Sequence, residues 1–242
     1  MNLLPRRARQ ALGLGILFAA ALGEAHAIDT RPYFPLDLGS TWTLRGTTEQ
    51  QVPYTTVSTT VAGKTVDGKR TTKMSWESDE ADETDRVAHL YLQDAGGTQI
   101  MALEPMPPKP MRAECVPVPA KPYFLLPGQV TIGQRFSGTM TSRCEGVVAK
   151  FASVSTIVGF ATTVVPAGTF RTLVLKTEAT TSGTWQGRSV PTTKQVVTWY
   201  LARGIGVVKE VTESFVDSPP FEKATGTEVL VSTNRKYDPS GD

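Results

Sequence analysis

The sequence has 242 residues, 40% of them hydrophobic, with 25 basic and 23 acidic side chains. This length is enough to bury a substantial core in one large domain or two small ones. A chain so close to neutral lacks a strong long-range field, which argues against nucleic acid as a partner.

Residues 1–27 have the pattern of a cleavable signal peptide. Three arginines in residues 1–9 form a basic start, residues 11–22 are apolar, and residues 25–27 read Ala-His-Ala, a small-x-small cleavage site. An uncleaved membrane anchor is the alternative, but the apolar run is too short to span a bilayer. We therefore predict export, a mature chain that begins at Ile28, and a periplasmic or secreted location.

Removal of this segment changes the charge and the available chemistry. Three basic residues and one acidic residue lie in residues 1–27, so 22 of each remain and the mature chain is neutral. His26 is also removed, which leaves His89 as the one histidine. No later apolar stretch is long enough to cross a membrane, and we expect no nucleic-acid partner.

The rest of the sequence is typical of β-strands, because threonine, valine and aromatic residues dominate and turn residues recur about every ten positions. Asp67-Gly68 predicts a type I′ hairpin turn, since both residue types tolerate positive φ. The nearest approach to an amphipathic helix is residues 81–89, and it is not convincing. We predict an all-β fold. The strand candidates are residues 51–61, 74–76, 87–92, 136–142, 147–165, 170–180, 195–201, 207–215 and 228–234.

A proline-rich segment, residues 104–122, divides the strands into two groups, because prolines at this density favour extended conformation and exclude central strands. We predict a first β half at residues 28–103, this connector, a second β half at residues 123–236 and a disordered tail at residues 237–242. The halves carry similar aromatic, turn and strand segments in the same order. A true duplication and a mere likeness in composition are both open interpretations.

The two cysteines, Cys115 and Cys144, both follow the predicted cleavage site. Two cysteines in an oxidising compartment usually pair, so we predict a disulfide between them. Two free buried thiols or a metal pair are the alternatives, although no histidine lies near enough in sequence to complete a zinc site.

Three motifs occur at well-separated positions: PLDLGSTWTL at residues 35–44, VPAGTFRTLVL at residues 165–175 and WYLARGIGVVK at residues 199–209. Each has the composition of a turn beside a core strand. Together they resemble a family of uncharacterised exported bacterial proteins, with Leu44 standing where that family tends to have an aromatic residue. The resemblance implies a curved antiparallel sheet or half-barrel, loosely similar to the periplasmic lipoprotein carriers. It implies no known activity.

The sequence lacks the residues that several catalytic mechanisms require. A single histidine, His89, and the absence of a Gly-x-Ser-x-Gly sequence argue against an acyl-transfer triad. Neither a thiol-redox pair nor a phosphate-binding loop occurs. We therefore predict no catalytic residue and no cofactor. Facing carboxylates, which a glycosidase needs, cannot be recognised from sequence alone.

An acidic segment, residues 77–85, contains six carboxylates. Oxygen ligands suit Ca²⁺, but the spacing is not that of an EF-hand and the bending glycine is missing. A solvated acidic loop is therefore the preferred interpretation over calcium binding, and we predict no metal site.

Two aromatic residues are candidates for ligand binding. Trp185 lies in a polar glycine-rich segment, residues 182–187, where an exposed ring would contact a ligand or partner. The alternative is a strand residue that packs onto the core. Tyr200, in the third motif, is the second candidate. The other tryptophans are predicted to be core residues: Trp42, Trp76 and Trp199.

These observations support three hypotheses. The leading one is a non-enzymatic exported protein that binds an apolar, lipid-like ligand or an envelope protein partner. The rival is a structural or interaction module of an envelope assembly. The third is a hydrolase that uses carboxylates alone. The sequence does not predict an oligomeric state.

Overall fold

The structure, a computed structural model, describes residues 27–47, 52–79, 87–106, 111–216 and 223–241. The predicted signal peptide, apart from Ala27, lies outside these residues. Strands make up 73% of the structure, and the described residues contain short 3-10 helices but no α-helix. The prediction of an all-β fold is confirmed. Within the same ranges, no helix has the length and apolar character needed to cross a bilayer.

The described residues form fifteen strands and three 3-10 helices. The 3-10 helices are Arg31–Tyr33, Ala113–Cys115 and Pro239–Gly241. The strands are β1 (Ile28–Asp29), β2 (Thr41–Thr47), β3 (Pro53–Val66), β4 (Lys69–Ser78), β5 (Val87–Asp94), β6 (Gly97–Pro105), β7 (Val118–Pro119), β8 (Phe124–Pro127), β9 (Gln129–Val130), β10 (Arg135–Cys144), β11 (Val147–Val165), β12 (Gly168–Trp185), β13 (Arg188–Ala202), β14 (Gly206–Val216) and β15 (Lys223–Thr233).

Thirteen of the described strands form one antiparallel sheet in the order β7-β10-β11-β12-β13-β14-β15-β2-β3-β4-β5-β6-β8, while β1 pairs with β9. The large sheet is not closed, because β7 and β8 at its two ends do not pair with each other. The curved antiparallel sheet that the family resemblance implies is confirmed. Strands from both predicted halves belong to this one sheet. The domain boundaries and the duplication stay predictions.

The two ends of the sheet approach each other at Tyr123. Its carbonyl oxygen accepts a hydrogen bond from the N–H of Ile100 on β6, at 2.9 Å. Its hydroxyl oxygen lies 3.1 Å from Oγ of Ser153 on β11. One residue thus contacts strands near opposite ends of the sheet, and this contact holds the sheet in a strongly curved form.

The hairpin turns follow from their residues. Between β3 and β4, Asp67 and Gly68 have φ angles of 50° and 73°. Two successive positive φ angles define a type I′ turn, whose twist matches that of the paired strands. This predicted turn is therefore confirmed. Turns also occur within the second and third motifs, at Pro166-Ala167 between β11 and β12 and at residues 203–205 between β13 and β14.

A segment near the N-terminus, residues 30–36, crosses the concave face of the sheet and is called the crossing segment below. Oγ1 of Thr30 donates a hydrogen bond to the carbonyl of Pro127 at 2.6 Å, and the N–H of Gly204 donates one to the carbonyl of Pro32 at 2.8 Å. These bonds fasten the segment to β8 and to the turn before β14.

Buried apolar side chains form two clusters, and the first includes Tyr33, Phe34 and Leu36 of the crossing segment. Each fully buried side chain contributes roughly 1.5–3 kcal/mol relative to an exposed one. The first cluster contains Tyr33, Phe34, Leu36, Tyr91, Ile100, Leu125, Leu126, Val130, Ile157, Leu173, Leu175 and Leu201. The second contains Trp42, Leu44, Val165, Phe170, Ala202, Ile205, Val208 and Leu230.

The predicted disulfide is present. Cys115, in the second 3-10 helix, is bonded to Cys144 at the end of β10, 29 residues later. Oγ of the nearby Ser142 donates a hydrogen bond to the Cys115 carbonyl at 2.5 Å. Disulfides persist in oxidising compartments, so this bond fits the periplasmic or secreted location predicted from the sequence.

Two residues near the C-terminus, Tyr237 and Asp238, contact the body of the protein. The ring of Tyr237 packs edge-on against Phe170, with ring centroids 5.3 Å apart. The carboxylate of Asp238 accepts a hydrogen bond from Nε of Arg203 at 2.7 Å. One ring contact and one ion pair thus attach the beginning of residues 237–242, and the disordered tail stays a prediction.

Candidate ligand-binding cavity

A cavity of about 450 Å³, partly open to solvent, lies on the concave face of the sheet. Its walls come from the crossing segment and from six strands that are neighbours in the sheet: β14, β15, β2, β3, β4 and β5. The described residues that line it are Phe34, Pro35, Trp42, Leu44, Tyr54, Thr56, Ser58, Met74, Trp76, Ser78, His89, Gly206, Val207, Glu210 and Glu228.

Strand alternation explains why these residues face inward, because side chains two positions apart point to the same side of a sheet. Ser58 of β3 lies directly between Trp42 of β2 and Trp76 of β4. Its small side chain leaves open the space between the two indole rings. Trp42 is held in place because its Nε1–H donates a hydrogen bond to the Ile205 carbonyl at 2.6 Å.

His89 and Tyr91 lie next to the Trp76 ring. The His89 imidazole meets Trp76 edge to face, with centroids 5.1 Å apart, and its Nδ1 shares a hydrogen bond of 2.8 Å with the Tyr91 hydroxyl. Burial lowers the pKa of His89 to about 4 and raises the pKa of Tyr91. Both side chains are therefore neutral at pH 7.

Two carboxylates lie side by side in one wall of the cavity. Glu210 of β14 and Glu228 of β15 are direct partners in the antiparallel ladder, and both line the cavity. Oε2 of Glu210 accepts a hydrogen bond from Trp199 Nε1 at 2.6 Å, and its Oε1 accepts one from Thr212 Oγ1 at 3.0 Å. Oε1 of Glu228 accepts one from Thr56 Oγ1 at 3.1 Å. The cavity is thus aromatic and apolar with an acidic wall.

The charged side chains in the described lining of the cavity are all acidic. No lysine or arginine occurs among the described residues that line it. The one histidine in the lining, His89, is uncharged at neutral pH. The formal charges of the described lining residues are therefore the two carboxylates.

The two aromatic residues predicted to bind a ligand lie elsewhere. Trp185, at the end of β12, is 54% exposed and is not part of the cavity lining. Tyr200 follows Trp199 on β13, so its side chain points to the opposite face of the sheet. There the Nζ of Lys209 lies 5.4 Å from the centre of the Tyr200 ring. Binding at these two residues stays a prediction, and the structure does not bring them together in the cavity.

Sequence reasoning missed most of the residues that build the cavity. It assigned Trp42 and Trp76 to the core; Trp42 is a buried core residue and also lines the cavity. Strand alternation alone indicates that the side chains of Glu210 and Glu228 face inward. Each lies two residues from a core-facing residue, Val208 or Leu230. That these two strands are neighbours was not available, so the carboxylate pair could not be predicted.

Most of the predicted acidic loop, residues 80–85, lies outside the described residues, and calcium binding there stays open. At its beginning, Oδ1 of Asp79 accepts a hydrogen bond from the N–H of Thr55 at 2.5 Å. Within the described ranges, no group of three or more His, Cys, Asp or Glu side chains could hold a metal ion.

No protein-family model and no curated protein matches the chain. Two solved structures resemble it. One is a protein of Bacteroides fragilis assigned as exported, with a YmcC-like fold: it is 15% identical, covers 83% of this chain and 98% of its own, and superposes with a TM-score of 0.51. The other, from Parabacteroides distasonis and assigned as a lipoprotein, is 9% identical, covers 84% and 98%, and has a TM-score of 0.47.

At these identities the likeness concerns the fold alone. The Bacteroides protein shares its fold with this chain over 98% of the Bacteroides protein's own length. The three sequence motifs and the likeness to lipoprotein carriers are not tested by this comparison and stay predictions.

Proposed function

We propose that the protein is a non-enzymatic exported protein of the cell envelope, periplasmic or secreted, that binds an apolar, lipid-like ligand. The observation that carries the proposal is the cavity of about 450 Å³ on the concave face, walled by Phe34, Trp42, Tyr54 and Trp76. Small-molecule sites are concave, mostly apolar and of about 300–1,000 Å³, with a few polar groups that orient the ligand.

The arrangement supports ligand binding over a purely structural module. A module that only docks other proteins would fill its concave face with its own side chains, as the two core clusters do elsewhere. Instead, Ser58 stands between two tryptophans, where any larger residue would occupy the space. The export assigned to the Bacteroides fragilis protein with the same architecture agrees with an envelope location.

A variant that fills the cavity tests the proposal. We expect Ser58→Phe to place a ring between Trp42 and Trp76 and to abolish binding of the apolar fluorescent probe N-phenyl-1-naphthylamine. The matched control is Val57→Phe, since Val57 is on the same strand with its side chain on the opposite, exposed face. Fluorescence titration of the wild type and both variants measures the effect.

Native mass spectrometry of protein purified from the periplasm provides a second readout. A co-purifying small lipid in the wild type, absent from Ser58→Phe, is the expected result. A wild-type protein that carries no ligand and does not bind the probe would overturn the proposal.

A hydrolase that uses carboxylates alone is a second candidate, because Glu210 and Glu228 lie next to each other in the lining of a cleft. Hydrolysis of a glycosidic bond needs one carboxyl group that gives up a proton and one that is ionised. Both oxygens of Glu210 accept hydrogen bonds from the protein's own groups, Trp199 and Thr212, so both are already engaged within the protein. Turnover of aryl glycosides, lost in Glu228→Gln, would favour this candidate over binding alone.

A further inference from the structure

We infer that the ligand of this cavity is an amphiphile with a positively charged ammonium head, which is bound between the aromatic rings and the Glu210–Glu228 pair. This inference rests on the proposed function and adds the chemical class of the ligand. Three features of the cavity carry it: the position of the two carboxylates, the groups that hold them, and the aromatic surface beside them.

The two carboxylates are close because of their register. Residues directly opposite in an antiparallel ladder have Cβ atoms about 4.5–5.5 Å apart, and like charges in that position are destabilising. Glu210 and Glu228 occupy such a position on β14 and β15, and both face the cavity. A bound cation removes the repulsion between the two carboxylates, so the pair favours a positively charged ligand.

Neutral donors fix the direction of the Glu210 carboxylate. Trp199 Nε1–H donates to Oε2 at 2.6 Å, and Thr212 Oγ1 donates to Oε1 at 3.0 Å. Neither donor carries a charge, so these bonds orient the carboxylate without cancelling its charge. The negative charge of Glu210 is therefore available to a ligand.

The rest of the lining suits the same ligand. Aromatic faces, those of tryptophan above all, attract ammonium groups, and rings in a cluster recognise quaternary ammonium ligands. Tyr54 and Trp76 line the cavity together with the two carboxylates. An anionic head, such as a fatty-acid carboxylate, would meet two like charges and, among the described lining residues, neither lysine nor arginine.

Three amphiphiles with the same alkyl chain test the inference: decyltrimethylammonium, decyl glucoside and decanoate, each used below its micelle concentration. Their affinities are measured by displacement of N-phenyl-1-naphthylamine. We expect the cation to bind about tenfold more tightly than the neutral glucoside, a difference of about 1.4 kcal/mol, and decanoate to bind more weakly than either.

Isosteric variants connect the preference to the acidic wall. Glu210→Gln and Glu228→Gln should each lower the affinity for decyltrimethylammonium by about tenfold and leave that for decyl glucoside unchanged. Glu213→Gln is the matched control, because Glu213 lies on the same strand with its side chain on the other face. Unchanged binding of the glucoside also shows that the variants are folded.

The outcomes separate the two claims. If all three amphiphiles bind the wild type with equal affinity, or if decanoate binds most tightly, the inference of an ammonium head is overturned and the binding function stands. If the cation preference survives in both glutamine variants, the role of the carboxylate pair is overturned. If none of the three displaces a bound probe, the inference of an ammonium amphiphile is overturned and the binding function stands; if the wild type carries no ligand and does not bind the probe, the proposed function itself fails.

Discussion

The His89 imidazole lies between the Trp76 ring and the Tyr91 hydroxyl, and burial there lowers its pKa to about 4. An unfolded histidine has a pKa near 6.5. Between these two values the unfolded chain binds a proton that the folded protein excludes. The contribution of His89 to stability is therefore complete above pH 6.5 and is lost as the pH falls towards 4.

We expect the free energy of unfolding to fall by up to about 3 kcal/mol between pH 7 and pH 4 on account of this residue. Urea unfolding of the wild type and of His89→Gln, over this pH range, measures the effect. The wild type should lose more stability than the variant, because the variant has no imidazole to protonate. An NMR titration in which His89 has a pKa of 6 to 7 would contradict the prediction.

At the scale of the element, the β6–β8 pair at one end of the sheet depends on a close backbone approach at Gly97. This glycine has a φ of 123°, and a Cβ atom there would lie 2.2 Å from the carbonyl oxygen of Leu126 on β8. A side chain of any size would force the two strands apart. The attachment of β8, and with it the approach of the two sheet ends near Tyr123, therefore relies on this residue.

Gly97→Ala should destabilise the protein by at least about 3 kcal/mol, since it combines an unfavourable φ with a backbone clash. Gly68→Ala is the control, because Gly68 also has a positive φ, 73°, but has no atom within 4 Å of the added methyl group. We expect this control to lose only about 1 kcal/mol. Urea denaturation of both variants checks the difference, and equal losses would show that the close approach does not matter.

The longer strands and their turns could be predicted from sequence, because alternation and turn residues are local signals. Asp67-Gly68 and the strand at residues 147–165 are examples. The two-residue strands β1, β7 and β9 could not, since so short a segment has no period to detect. The cavity could not be predicted either. The cavity depends on which strands are neighbours. Glu210 and Glu228 become adjacent only because β14 pairs with β15.

At the scale of the whole molecule, the Cys115–Cys144 disulfide fastens the residues before β7 to the end of β10, at the first edge of the sheet. A bond that closes a loop of this length stabilises the folded state mainly by restricting the unfolded chain. It does not contribute a residue to the cavity lining, so stability and binding are separable.

Replacing both cysteines, in the Cys115→Ser/Cys144→Ser variant, should lower the free energy of unfolding by about 3–4 kcal/mol. Binding of N-phenyl-1-naphthylamine at 25 °C should be retained. Chemical denaturation and probe titration measure the two quantities, and wild-type protein treated with a reductant should match the variant. A variant as stable as the oxidised wild type would refute the expected role of the bond.

The pairing of β15 with β2 joins residues that are far apart in the chain, with Thr227 opposite Thr47. Because Glu228 belongs to the last strand and Trp42 to the second, the cavity forms only after nearly the whole chain is present. Contacts between such distant residues form late and slowly in folding. A chain exported in an unfolded state would therefore form this cavity only after translocation, so the compartment in which it folds also determines which molecules the cavity can meet first.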